Sequence, residues 1–187
     1  MSETSRYFLA IVPPAPVLSA VGDLKEQACQ LFNSCAALRS PPHITLHMPF
    51  LWKDKKVEKL YQVLSEFSTD VSLLDIRLRK FGHFGERVIF LEPEANDGLL
   101  MLQKDLAKAA RTQLNLLNAG YKDRGFHPHM TIAFRDLKKQ VFQEAYQHFA
   151  QKKIDLQFQV QDFSLLKHDG KKWHDFQRFS FRRSLHL

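Results

Sequence analysis

Cysteine is scarce in this chain: there are two in 187 residues, Cys29 and Cys35. Both fall in one predicted helix, six positions apart and on poorly matched faces, which suits neither a disulfide framework nor a zinc site. The expectation is two thiols in a reducing compartment. Long hydrophobic runs are also missing. No apolar stretch reaches the roughly 20 residues of a membrane span, and "MSETSRYFLAIV" has neither the basic start nor the small-residue cleavage site of a signal peptide. These absences point to a cytoplasmic protein without a membrane partner. Glycine is limited to seven residues, with no Gly-rich phosphate cradle in a strand–turn–helix setting, which argues against a nucleotide triphosphatase or a dinucleotide fold. A linker rich in Gly, Ser or Pro is absent too, so residues 1–187 are expected to share one scaffold.

What is present is a chain with 44% hydrophobic and 12% aromatic residues, ample for a packed interior. Lys and Arg number 27 against 20 Asp and Glu, for a net charge of +7, and such a surface steers phosphate-bearing partners toward it. "RYFLAIV" reads as a buried strand ended by Pro13, Pro14 and Pro16, and apolar residues from Val17 to Ala36 keep helical spacing up to "RSPP". A short helix covers 57–67, a strand 74–78 and a hairpin loop 82–86, leading into the strand "RVIFLE". Asn96 or Asp97 caps the next helix, which carries apolar residues to Leu114 before Gly120 stops it. Val141 to Phe149 marks a further helix, and a closing hairpin turns at Asp169-Gly170.

Two segments share a pattern: "PPHITLHMPF" (41–50) and "FHPHMTIAF" (126–134). In the first, period two assigns Ile44, Leu46, Met48 and Phe50 to one face and His43, Thr45 and His47 to the other. In the second, Phe126, Pro128, Met130, Ile132 and Phe134 oppose His127, His129, Thr131 and Ala133. With nine His and five Thr, random placement yields roughly a quarter of one His-x-Thr pair, yet two occur, each after a proline and on a predicted strand. Their surroundings repeat as well. Apolar strand, long helix, motif strand and short helix run through 7–67 and again through 87–149, so a pseudo-twofold pair of lobes would face both polar strand surfaces across one cleft.

Two histidines opposed across a phosphodiester suit general acid–base chemistry near neutral pH, one accepting a proton while the other donates one. A threonine two residues along the same face can donate its hydroxyl to a non-bridging phosphate oxygen. This arrangement requires no metal and no other cofactor. "PHITL" and "PHMTI" in this context resemble the paired His-x-Thr-x motifs of the two-histidine phosphoesterase superfamily, of the RNA 2′,3′-cyclic phosphodiesterase and 2′-5′ RNA ligase type.

The resemblance covers nearly the whole chain and implies an α+β, bilobal fold whose two pseudo-symmetric lobes carry antiparallel sheets around a central cleft. It implies a metal-independent, monomeric cyclic phosphodiesterase acting on RNA ends or nucleotides that bear a cyclic phosphate. It makes His43 and His129 catalytic, with His43 as the acid on the leaving O3′ and His129 as the base that activates water, and it makes Thr45 and Thr131 the phosphate anchors. Two alternatives stay open: activity on 2′-5′ linkages, as phosphodiesterase or ligase, and a non-catalytic RNA or nucleotide binder. Several further residues are weighed and left outside the site. His47 and His127 share the motif faces but lack carboxylate or thiolate companions for a metal. Trp52, Phe81, Phe84 and Phe126 could stack on a base but more readily belong to a core holding sixteen Phe. Lys167, Lys171 and Lys172 suit exposed turn charges, and Arg124 and Arg135 flank the second motif without being fixed by it.

Overall fold

A computed structural model of the protein describes residues 3–117 and 125–182. Eight strands form one antiparallel sheet: β1 (Thr4–Ile11), β2 (Ile44–Lys53), β3 (Leu74–Phe84), β4 (Val88–Pro93), β5 (Met130–Ala133), β6 (Leu156–Val160), β7 (Asp162–His168) and β8 (Trp173–Ser180). Their spatial order is β6-β3-β4-β5-β2-β1-β7-β8. The two expected sheets are therefore halves of one, four strands each, joined where β2 and β5 pair at Ile44 and Met130. The motif strands lie side by side at that seam.

Four helices, α1 (Val17–Phe32), α2 (Val57–Ser68), α3 (Asp97–Leu114) and α4 (Lys139–Ala150), supply most of the helical side of the core. Two of them pack crosswise, whereas α2 lies on β8 and α4 on β3, each within its own half. Helix α1, from the first half, lies on β5 of the second, and α3, from the second half, lies on β2 of the first. Ile44, Leu46, Met130 and Ile132 are fully buried beneath them. On the other sheet face Phe8, Ala10, Val12 and Leu166 form a smaller cluster with Leu18 and Trp173 packed on it. Strand β1 is apolar on both faces for this reason, and "RYFLAIV" lacks alternation because both sides are covered.

Helix ends correct two expectations. Helix α1 stops at Phe32 rather than Ala36, because Asn33 takes a left-handed conformation (φ 54°) and its N–H bonds back to Ala28 and Cys29 carbonyls. The chain then reverses, so Cys35 lies outside the helix with its Cα 4.3 Å from that of Cys29, and the two form a disulfide. Helical spacing does not relate the two cysteines, because the helix ends between them. The reversal is held by Asp136, whose carboxylate accepts from Ser34 Oγ (3.0 Å), Cys35 N (2.9 Å) and Ala36 N (2.8 Å). Helix α3 is capped by Asn96, whose side chain accepts from Leu99 N, and ends at left-handed Asn115 instead of Gly120, which lies outside the described residues. No helix among the described residues is long and apolar enough to cross a membrane.

Candidate active site

Both motif histidines sit one residue before their strands and are held in the same way. His43 Nδ1 meets the Pro41 carbonyl at 2.7 Å, and His129 Nδ1 meets the His127 carbonyl at 2.8 Å. A carbonyl only accepts, so each Nδ1 carries the proton and each Nε2 is left for a ligand. His43, Thr45, His129 and Thr131 line one cleft of about 840 Å³. The structure thus brings together all four residues expected from the paired motifs.

Directly after each threonine the period-two pattern breaks, and it breaks identically in the two halves. Ala10 pairs with Thr45 and Leu9 with His47, leaving Leu46 as an extra residue; Phe90 pairs with Thr131 and Ile89 with Ala133, leaving Ile132 extra. Such a bulge turns the following side chains over. His47 and Ala133, expected on the cleft face, are buried at 1% exposure, whereas Met48 and Phe134, expected in the core, line the cleft. His47 donates through Nδ1 to the Met48 carbonyl and packs edge-on to Phe50.

Aromatic rings back each histidine. Phe8, on β1, lies 4.9 Å from the His43 ring and is met edge-on by Trp173 at 4.6 Å. Phe90, on β4, lies 5.3 Å from His129, with Phe84 at 4.9 Å from the same imidazole. Gly82 makes room for this packing, since a Cβ there would meet the Phe90 ring at 2.5 Å. Strand β3 extends through Phe84 into what the sequence suggested was loop, which carries Phe84 to the cleft. Phe81, Trp52 and Phe126 are half-buried against the core.

The cleft is strongly cationic. Arg6, Lys25, Arg39, Arg135, Lys171 and Lys172 line it, with no Asp or Glu among the described lining residues. Lys171 and Lys172 reach it because Asp169 accepts both of their backbone N–H groups at 2.7 Å and fixes the hairpin turn; these bonds and His174 hold its carboxyl well below the usual carboxylate range. Arg135, left open by the sequence, is a wall residue, while Arg124 lies outside the described residues. Lys167 instead lies over the Tyr7 and Phe176 rings. His127 is exposed, 3.5 Å from Glu92. Lys25, Phe8, Trp173, Arg6 and Arg39 were not foreseen as site residues. For Lys25 the signal was a lysine on the apolar face of an otherwise regular amphipathic helix.

Desolvation sets the protonation states. Burial pushes His43 down to about 4, assisted by the positive charges of Lys25 and His129 and opposed by its bond to the Pro41 carbonyl. His129 is also lowered, chiefly by burial. No group of three or more His, Cys, Asp or Glu side chains able to hold a metal ion occurs among the described residues.

Comparison with known proteins agrees with this architecture. The model of the 2′-5′ RNA ligase superfamily matches residues 13–172. A provisionally named phosphoesterase of Geobacillus kaustophilus (strain HTA426) is 28% identical over 86% of this chain and 87% of its own. Among solved structures, TT0787 of Thermus thermophilus superposes with a TM-score of 0.66 at 20% identity, covering 96% of this chain and 99% of that one. E. coli LigT in its apo form superposes with a TM-score of 0.62 at 21% identity, covering 97% and 100%, and LigT has also been crystallised with phosphate and with 3′-AMP. With a family match spanning most of its length and a fold shared end to end with these structures, the chain belongs to the 2′-5′ RNA ligase superfamily of phosphoesterases.

Proposed function

We propose that this protein hydrolyses RNA-type 2′,3′-cyclic phosphates to 2′-phosphates without a metal ion, using His43 and His129 for proton transfer and Thr45 and Thr131 as phosphate anchors. The observation that carries this reading is the matched pair of imidazoles on one cationic cleft, each with Nδ1 tied to a carbonyl and Nε2 left for the reaction. Binding of phosphate and 3′-AMP by LigT supports a phosphoryl ligand here.

The roles run opposite to the assignment implied by the resemblance. A general base must start neutral, and His43, at about 4 and beside the Lys25 charge, is neutral throughout the physiological range. Water therefore attacks phosphorus as its proton passes to His43 Nε2. The P–O3′ bond breaks, and His129 Nε2 delivers a proton to O3′, its imidazolium being stabilised by the anionic substrate between the two rings. Thr45 and Thr131 donate to the non-bridging oxygens, which gain charge in the transition state.

One observation favours a second reading, cleavage of 2′-5′ phosphodiesters. Accessible ring surface stands on both sides of the cleft, Trp173, packed on the buried Phe8 that backs His43, and Phe84 beside His129, so a nucleoside could stack on each side of a central phosphate. The test is incubation of chelator-treated protein with a nucleoside 2′,3′-cyclic phosphate and, in parallel, a 2′-5′-linked dinucleotide, with products resolved by chromatography. Turnover of the cyclic phosphate that is lost in both His43→Ala and His129→Ala is expected. Inactivity of the wild type on it between pH 4 and 8, or full activity in both variants, overturns the reading, and turnover of the dinucleotide alone selects the second.

A further inference from the structure

The buried positions of α1 recur with the same spacing on α3: Val21, Leu24, Lys25, Ala28 and Phe32 answer to Leu99, Leu102, Gln103, Leu106 and Ala110. Each series has one polar member, Lys25 in the first half and Gln103 in the second. Their surroundings differ. Gln103 donates its amide to the Leu46 carbonyl at 3.3 Å and takes no part in the cleft lining. Lys25, only 2% exposed, donates to the Ser40 carbonyl at 2.6 Å and lines the cleft, near enough for its charge to disfavour protonation of His43.

An ammonium has three donors, and the Ser40 carbonyl takes one. No carboxylate lies within ion-pair distance of Lys25 among the described residues, although holding an uncompensated charge out of water is costly. A neutral amide suffices at the matching position of α3. The missing counter-charge is accounted for if it arrives with the ligand.

We propose that Lys25 is a phosphate-binding residue, its ammonium donating to a non-bridging oxygen of the phosphoryl group seated between His43 and His129. It forms a third anchor beside Thr45 and Thr131, present in one half only. The inference rests on the reading that this cleft takes a phosphoryl group. It also gives the pseudo-symmetric site a direction, because the substrate meets a fixed cation on the His43 side and none from the equivalent position on the His129 side. Burial lowers Lys25 to about 8, which leaves it mostly charged at neutral pH.

The test measures binding rather than turnover. The full chain, its Lys25→Met variant and its Gln103→Met variant are titrated with inorganic phosphate and with a nucleoside 2′-monophosphate, by calorimetry at pH 7. Methionine keeps the length of the lysine stem without its charge. Loss of one charge-assisted bond should weaken both probes about ten-fold or more in Lys25→Met and leave Gln103→Met at wild-type affinity. Wild-type affinity in a folded Lys25→Met protein, or equal weakening in the two variants, overturns the proposal. Should Lys25→Met fail to fold, the Lys25 side-chain resonance of isotopically labelled wild type is followed instead, assigned through Lys25→Arg. A resonance unmoved by saturating phosphate, or a wild type that binds neither probe, is equally decisive against it. Phosphate binding that depends on Lys25 in a protein inactive on cyclic phosphates would sink the hydrolase reading and leave this one standing.

Discussion

Acid should unfold this protein partly through His43. The folded chain takes up that proton only near pH 4, while the unfolded chain binds it at the ordinary value of 6.5. Between those values the unfolded state holds more protons, so stability falls as pH falls; above 6.5 the contribution is constant. At 1.36 kcal/mol per pK unit the gap is worth about 3 kcal/mol, most of it lost by pH 4.5. His129 and His47 are lowered too and act in the same direction, so a variant is needed to isolate His43. His43→Asn retains a donor for the Pro41 carbonyl but cannot titrate. Urea unfolding followed by the fluorescence of Trp52 and Trp173 at pH 7.5 and 4.5 should show the wild type losing about 2 to 3 kcal/mol more than the variant over that interval. The groups facing the ring are Lys25, whose charge persists across it, and His129, whose own titration reinforces the loss. Coincident pH dependences in the two proteins would refute the claim that His43 is held neutral by burial.

The kcat/KM profile should be bell-shaped, rising above about pH 4 as His43 becomes a base and declining as His129 loses its proton below the ordinary histidine value; an optimum above pH 7.5 contradicts this. Thr45→Val and Thr131→Val should each lower kcat/KM by about three- to ten-fold through loss of one neutral hydrogen bond, and values within two-fold of wild type would remove the threonines from the site. Gly82→Val should displace Phe90 and loosen His129, costing about 1 to 3 kcal/mol in urea unfolding together with activity, whereas Gly22→Ala, with open space at its Cβ, should add up to about 1 kcal/mol. Unchanged stability in Gly82→Val would contradict the close approach.

The paired motifs were legible because His43, Ile44, Thr45 and Leu46 obey strand alternation and because the pattern occurs twice. Alternation failed after Leu46 and Ile132, where a bulge shifts the register. Nothing in "ITLHMPF" marks that shift, since its cause is the pairing of β2 with β1. Polar residues near the cleft were therefore judged by parity, which misassigned His47 and Met48. Cys35 was misread because helical spacing continues through Ala36, whereas the backbone turns at Asn33 to meet Asp136, a partner about a hundred residues away. Lys25 escaped notice because its neighbours on α1 are apolar, and only the cleft beyond the helix explains it.

The crosswise packing of α1 on β5 and α3 on β2 bears on how the chain can vary. Each motif strand is roofed by a helix encoded far from it, so a side chain altered on α1 presses on the strand of His129, and one altered on α3 presses on the strand of His43. Neither motif strand takes its main helical cover from its own half. Changes tolerated by one motif are thereby filtered through the other, and the two must be retuned as a pair, even where their own residues stay the same.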